Sequence, residues 1–203
     1  MVMPISNADQ ARISAAIHAA EQKTAAEIVC VLARRSSDYL YVAPLWAALM
    51  ALIAPWPLVI FTRLDIRTIL VIQTLIFVVI TLILSYPRFR LAATPRAVKR
   101  ARAHRASIEQ FFTRGVAGTR ERTGVLIFVS LGERYARVVA DEGIAVKISD
   151  EQWRCALDLL LAEVRRGRIA DGFVAGIEEC ARLLAQHVPP GGAEELPDRI
   201  YVI

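Results

Sequence analysis

The sequence lacks several common catalytic motifs and has few of the cysteines and histidines that often bind metals. It contains no G-x-x-x-x-G-K phosphate loop, no G-x-G-x-x-G, no G-x-S-x-G and no H-E-x-x-H. Three cysteines among 203 residues exclude a disulfide-stapled scaffold, and three separated histidines leave little room for a histidine-rich metal site. Because Cys30, Cys155 and Cys180 lie among apolar neighbours, we expect all three to be small, buried, reduced residues.

Charge is absent from two long runs, Leu40 to Thr62 and Thr68 to Pro87. Each run has about 20 residues, and a helix rising about 1.5 Å per residue then crosses a hydrocarbon core of about 30 Å. Two buried core helices would need a soluble core that the rest of the chain is too short to supply. The pattern therefore predicts a transmembrane hairpin at 40–87, with spans at 40–62 and 68–87.

Basic residues are concentrated on one side of this hairpin. Residues 88–105 carry seven Lys and Arg and no acid, whereas the loop between the spans carries only Arg63 and Arg67. The positive-inside rule then predicts a multi-pass protein of the inner membrane with both termini in the cytoplasm. No charged segment followed by an apolar run precedes residue 35, so we expect no cleaved signal peptide.

The same asymmetry indicates what the basic residues contact. Without residues 88–105 the chain has 25 − 7 = 18 basic and 20 acidic residues, so the net charge of +5 originates beside the membrane. We therefore expect contact with anionic lipid headgroups and no nucleic-acid binding. Pro44, Pro55 and Pro57 should kink the first span, and Gln73 is best explained by packing between helices.

The segments before and after the hairpin are predicted to form helices and strands, in an order that requires one shared sheet. Residues 7–20 predict a helix and 27–33 a strand before the hairpin. A helix, two strands and two helices follow it. Neither flank has enough strands for a sheet of its own. We expect an α/β fold, a mixed sheet covered by helices, in one split cytoplasmic domain at 6–39 and 88–198.

Local signals predict several details of this domain. Gly132-Glu133 suggests a two-residue type II′ turn between the strands at 125–131 and 135–141. Ser149 and Gln152 form a capping-box pattern, and Asp171 is the expected cap of the last helix. Phe112 is expected on the inner face of the helix that follows the hairpin, which Thr94 should cap.

Acidic residues at strand and helix ends form the best candidate site. Asp141 and Glu142 end a strand, Glu133 lies in the adjacent turn and Asp171 precedes a helix. Hard oxygen donors gathered at the edge of a sheet could hold Ca²⁺ or Mg²⁺. Capping and turn chemistry also account for each residue, so both interpretations stay open.

Several short segments together resemble the TPM domain, over roughly residues 6–33 and 97–198. The resemblance rests on Thr123-Gly124 leading into 125–131, on Glu133-Arg134, and on the segments 140–144, 167–172 and 195–198. The chain looks like a membrane-embedded bacterial branch whose domain is split by a helical hairpin. The resemblance implies an α/β sandwich, divalent-cation binding by acidic loops, and acid-phosphatase activity in relatives. By position it makes Asp141, Glu142 and Asp171 candidate cation ligands.

Two functions follow as hypotheses. The first is a membrane-anchored binding or assembly module, whose partner is another membrane protein that meets Gln73 or the proline-rich first span. The second is a metal-assisted phosphatase, in which a cation activates water and Arg134 or Arg168 clamps the phosphate. The absence of a complete catalytic motif favours the first, because likeness of fold alone is a weak guide to function.

Overall fold

The computed structural model describes residues 5–191 and 195–203. The chain forms two compact units. The sheet domain contains the chain up to residue 36 and from residue 102 onward, and the hairpin unit contains residues 37–101. The hairpin unit is therefore longer than the predicted 40–87, because it includes the basic segment that follows the second span.

In the described residues, the sheet domain is built on four strands in the order β3-β2-β1-β4. These are β1 (Glu27–Ala33), β2 (Gly124–Ser130), β3 (Tyr135–Ala140) and β4 (Ile200–Val202). β1 pairs in parallel with β2, with Cys30 opposite Ile127, although the hairpin unit separates them in sequence. β3 is antiparallel to β2, and β4 is parallel to β1. The predicted mixed sheet shared across the insertion is confirmed, and β4 is a strand that the sequence analysis missed.

Two hydrophobic layers cover the faces of this sheet. On one face α1 (Asn7–Glu21), α8 (Asp150–Arg165) and α9 (Ile169–His187) bury Ile13, Leu160 and Phe173 against β1 and β2. On the other face Phe111 of α6 (Arg96–Thr113) packs with Phe128. Every residue of β1 and β2 is buried, as expected for central strands covered on both sides.

The structure corrects four local predictions. The β2–β3 connection has four residues, because Ser130 pairs with Tyr135, and Arg134 is its left-handed residue (φ 52°). Asp171 lies inside the first turn of α9, whose cap is Arg168. Phe112 is exposed because the inner face of α6 passes through Phe111. Thr94 closes α5 (Pro87–Ala93), where its hydroxyl donates to the carbonyl of Arg90.

The hairpin unit consists of α2 (Val42–Ile53), α3 (Pro55–Phe61), α4 (Ile66–Ser85) and α5, and α6 begins in it. Two stretches of 20 residues, Val42–Phe61 and Ile66–Ser85, are long and apolar enough to cross a membrane. The break between α2 and α3 falls at Ala54, immediately before Pro55, as predicted for that proline. Pro44 and Pro57 instead lie in the first turns of α2 and α3, where a proline is tolerated. α2 packs on α4 and buries Ala43, Ala47 and Ala51, a four-residue spacing of small side chains that lets helices approach closely.

Candidate functional site

The sheet has two edges at which loops could form a site. The carboxyl ends of β1 and β2, at Ala33 and Ser130, meet at one edge. Ligands of α/β proteins commonly bind at such an edge. β3 starts at this edge and runs back, so its last residue, Ala140, lies at the opposite edge. We call these the carboxyl edge and the amino edge.

Glu133 lies at the carboxyl edge and supports the backbone there. Its buried carboxylate accepts the backbone N–H of Ser36 at 3.0 and 3.1 Å and the hydroxyl of Ser130. Backbone hydrogen bonds join Leu131 N to Ala33 O at 3.0 Å and Gly132 N to Arg34 O at 2.9 Å. The carboxylate therefore fixes the ends of β1 and β2 relative to each other.

Asp141 and Glu142 lie at the amino edge, about 20 Å from Glu133 along the six residues of β3. Asp141 is buried and caps the short helix α7 (Glu142–Ala145), accepting the Glu142 N–H at 2.7 Å. The Arg122 guanidinium is 3.8 Å from Asp141 Oδ1 and 3.5 Å from Glu142 Oε2. Asp141 Oδ2 is buried and has no hydrogen-bond partner among the described residues.

Asp171 and Arg168 lie at the start of α9 and are both paired with other residues. Arg12 of α1 reaches Asp171 Oδ1 at 2.7 Å, and Arg168 contacts Glu163 Oε2 at 2.5 Å. The pair with Asp171 raises the pKa of Arg12. These contacts tie α9 to α1 and to the end of α8.

The structure thus separates the residues that the sequence analysis grouped. Antiparallel β3 places Glu133 and Arg134 at one edge of the sheet and Asp141 and Glu142 at the other. Within residues 5–191 and 195–203, no three metal-ligating side chains form a group that could hold an ion. Of Glu133, Asp141 and Glu142, the last two lie next to each other, and Arg122 is beside both of their carboxylates.

A cleft opens at the carboxyl edge between the sheet and the end of α8. Its volume is about 600 Å³. Val129, Leu131, Leu161 and Val164 form apolar walls. The polar lining residues are Ser130, Arg134, Tyr135 and Arg165. Pockets of this size with a few polar groups are typical of small-ligand sites.

A second group of carboxyls, which sequence reasoning missed, lies at the amino edge. Burial raises the pKa of Glu21 to about 9, and a hydrogen bond with Asp198 adds to the increase. Asp198 also contacts His18 Nδ1 at 2.9 Å. Burial raises the pKa of Glu27, whose carboxylate accepts the backbone N–H groups of Glu195 and Leu196, both at 3.1 Å. These contacts hold the C-terminal segment that ends in β4.

The cysteines offer no activated nucleophile in this arrangement. Cys30 and Cys180 are buried, and burial raises the pKa of the Cys180 thiol to about 12 and that of Cys30 well above its usual value. The thiolate is the reactive form of cysteine, so both residues are inert at neutral pH. Cys155 is exposed on α8, contrary to the expectation that it is buried.

Comparison with known proteins agrees with this architecture. Residues 88–183 match the family model of the TPM domain. The chain contains a TPM domain. Its fold is similar to the NMR structure of the BA42 protein from the psychrophilic bacterium Bizionia argentinensis, with a TM-score of 0.61 and 18% identity over 98% of this chain and 95% of that one. No curated protein matches the chain.

The matched range of the TPM domain leaves out two of the four strands. β1 and β4 lie before and after residues 88–183, yet both pair within the sheet. The signal for β1 is its run of β-branched residues, whereas β4 has three residues and follows a proline-containing segment. Such a short strand carries too few residues for a periodic pattern.

Proposed function

We propose that this chain is an integral protein of the bacterial inner membrane that carries its TPM domain as a cytoplasmic binding or assembly module. The observation that carries the proposal is the exposure of the two apolar helices. Only 11% of an apolar 18-residue segment within Val42–Phe61 and 6% of one within Ile66–Ser85 is buried within the protein. A helix that is apolar and largely exposed requires lipid or another protein to cover it.

The charge asymmetry supports the orientation. Both termini lie in the cytoplasm when the seven basic residues of 88–105 face the anionic inner leaflet and the short loop at 62–65 faces outward. The parallel pairing of β1 with β2 brings the chain back into one sheet after the insertion. The TPM domain is then joined to the membrane at two points, residues 36 and 102.

Cysteine labelling tests this topology directly. The exposed native Cys155 is the reporter in the TPM domain, and a Leu64→Cys variant that lacks Cys155 is the reporter in the loop. In intact spheroplasts, an impermeant maleimide should label Leu64→Cys at once and Cys155 only after permeabilisation. Labelling of Cys155 from outside, or release of the chain from membranes at alkaline pH, contradicts the proposal.

The partner in this proposal is another membrane protein that contacts the hairpin unit. Half-buried Gln73 of α4 is the one strongly polar side chain of the second span and suits a hydrogen bond between helices. A photo-crosslinker at Gln73 should capture a distinct membrane protein in native membranes, and one at exposed Leu82 is the control. Crosslinks to lipid or to the chain itself alone contradict a binding role.

We also propose that a divalent cation, Ca²⁺ or Mg²⁺, binds at Asp141. The buried, unpartnered Oδ2 of Asp141 and the nearby Glu142 carboxylate support this, whereas Arg122 already neutralises both groups. A cation therefore competes with Arg122. Arg122→Ala should increase the thermal stabilisation by Ca²⁺ or Mg²⁺, and Asp141→Asn should abolish it. If Ca²⁺ or Mg²⁺ stabilised the Arg122→Ala and Asp141→Asn variants to the same extent, this site would be contradicted.

The alternative of a metal-assisted phosphatase finds less support. It needs Asp141, Asp171 and an arginine such as Arg134 or Arg168 around one phosphate, but Asp141 and Arg134 lie at opposite edges of the sheet. Hydrolysis of a generic phosphate ester with Mg²⁺, lost in the Asp141→Asn, Asp171→Asn double variant, would favour it. The geometry instead favours binding without chemistry.

A further inference from the structure

We propose that the cleft at the carboxyl edge binds a small organic carboxylate with an apolar body. The cleft has about 600 Å³ and is lined by two arginines, Arg134 and Arg165, above apolar walls. A guanidinium binds a carboxylate through two parallel hydrogen bonds, and the walls cover the organic part of the ligand. This inference rests on the binding role proposed above and names its ligand class.

The charges around the cleft support an anionic ligand. Seven arginines of the sheet domain have a carboxylate within 4.0 Å, namely Arg12, Arg120, Arg122, Arg154, Arg166, Arg168 and Arg182. In the described part of the chain, neither Arg134 nor Arg165 has such a partner. Two unneutralised cations that line one cleft attract an anion.

The backbone holds Arg134 at this position. Arg134 has φ 52°. This left-handed conformation is energetically unfavourable for any residue that carries a side chain. The conformation is held by the fixed ends of the loop. Glu133 accepts the Ser36 N–H and the Ser130 hydroxyl, and Arg134 N donates to Leu131 O at 3.3 Å. A binding residue on a fixed loop loses less entropy when the ligand binds.

Arg165 approaches from the second wall of the cleft. It occupies the last turn of α8, one residue after Val164, and Leu161 lies one turn earlier on the same helix. The helix therefore supplies one cation and two apolar side chains. β2 and the loop after it supply Val129, Leu131 and Arg134. The ligand contacts both elements, so its acidic head and its apolar body are both required for binding.

Calorimetric titration of the full chain in lipid nanodiscs tests this inference, with empty nanodiscs as the blank. Benzoate has both required parts, whereas acetate and inorganic phosphate lack the apolar body and benzyl alcohol lacks the charge. We expect benzoate to bind at least tenfold more tightly than acetate, inorganic phosphate or benzyl alcohol. Equal binding of inorganic phosphate, or no binding of benzoate, overturns the inference.

Variants assign the binding to the cleft. Arg134→Gln and Arg165→Gln should each weaken benzoate binding about tenfold or more, because each removes a charged hydrogen-bond donor. Arg154→Gln on the same helix is the matched control, since Arg154 is exposed and outside the cleft. Unchanged affinity in both cleft variants overturns the site. Benzoate binding by a chain found in the opposite membrane orientation would refute the proposed topology but retain this site.

Discussion

The protonated carboxyl of Glu21 should make the stability of the TPM domain fall as pH rises. Burial raises the pKa of Glu21 from 4.5 to about 9, and a hydrogen bond with Asp198 contributes to the increase. Between these values the folded chain keeps a proton that the unfolded chain has released. The contribution of Glu21 to the free energy of unfolding is then fully present below pH 4.5 and is lost as the pH rises through about 9.

The size of this loss of stability depends on how exposed the Glu21 carboxyl is. Each tenfold change in proton affinity corresponds to about 1.36 kcal/mol, so a wholly buried carboxyl with this pKa would contribute about 6 kcal/mol. Glu21 is only partly buried, and solvent screens its interactions. The N–H of Ile28, which donates to Glu21 Oε1 at 2.8 Å, also favours the charged form. We therefore expect a loss of about 1–3 kcal/mol between pH 5 and pH 9.

Glu21→Gln is the decisive variant, because glutamine keeps the hydrogen bonds of the neutral carboxyl but does not titrate. Urea unfolding of the full chain in nanodiscs, followed by circular dichroism, should show a weaker pH dependence than in the wild type. The difference should be about 1–3 kcal/mol at pH 9 and near zero at pH 5. Glu178→Gln, on the exposed surface of α9, is the control. If the free energy of unfolding changed equally with pH in the wild type and in Glu21→Gln, the reasoning would be refuted.

Two further predictions concern packing. Gly124→Ala should lower the free energy of unfolding by about 1–3 kcal/mol in urea, because an added Cβ would lie 2.1 Å from the Val116 carbonyl oxygen; Gly118→Ala, with open space around it, should have little effect. A maleimide should label Cys155 in the native protein and Cys30 and Cys180 only after unfolding, and fast native labelling of all three would contradict their burial.

The pattern of apolar residues was enough to predict the strands that are buried along their whole length. β1 and β2 are apolar throughout because both faces are covered, and their bounds agree with the predicted 27–33 and 125–131 to within one residue. The capping box of Ser149 and Gln152 is also confirmed, since it depends on residues only three apart. The prolines located the break in the first apolar stretch for the same local reason.

The candidate site was harder to predict, because its geometry depends on strand direction and on long-range contacts. Glu133 and Asp141 are eight residues apart in sequence, yet the antiparallel return of β3 places them at opposite edges. Arg134 and Arg165 are far apart in sequence and meet at one cleft because α8 packs beside β3. No regular spacing in the sequence predicts that such distant residues lie close together.

The sequence by itself determined which segments are apolar and which form regular secondary structure. The spacing of apolar residues and the length of apolar runs are local properties of the chain. The sequence therefore specified the two apolar stretches, the central strands and the need for one shared sheet. Only the tertiary structure decided which ionisable groups meet. Glu21 forms a hydrogen bond with Asp198 and Arg12 pairs with Asp171 because packing brings distant elements together and removes water from some of their polar groups.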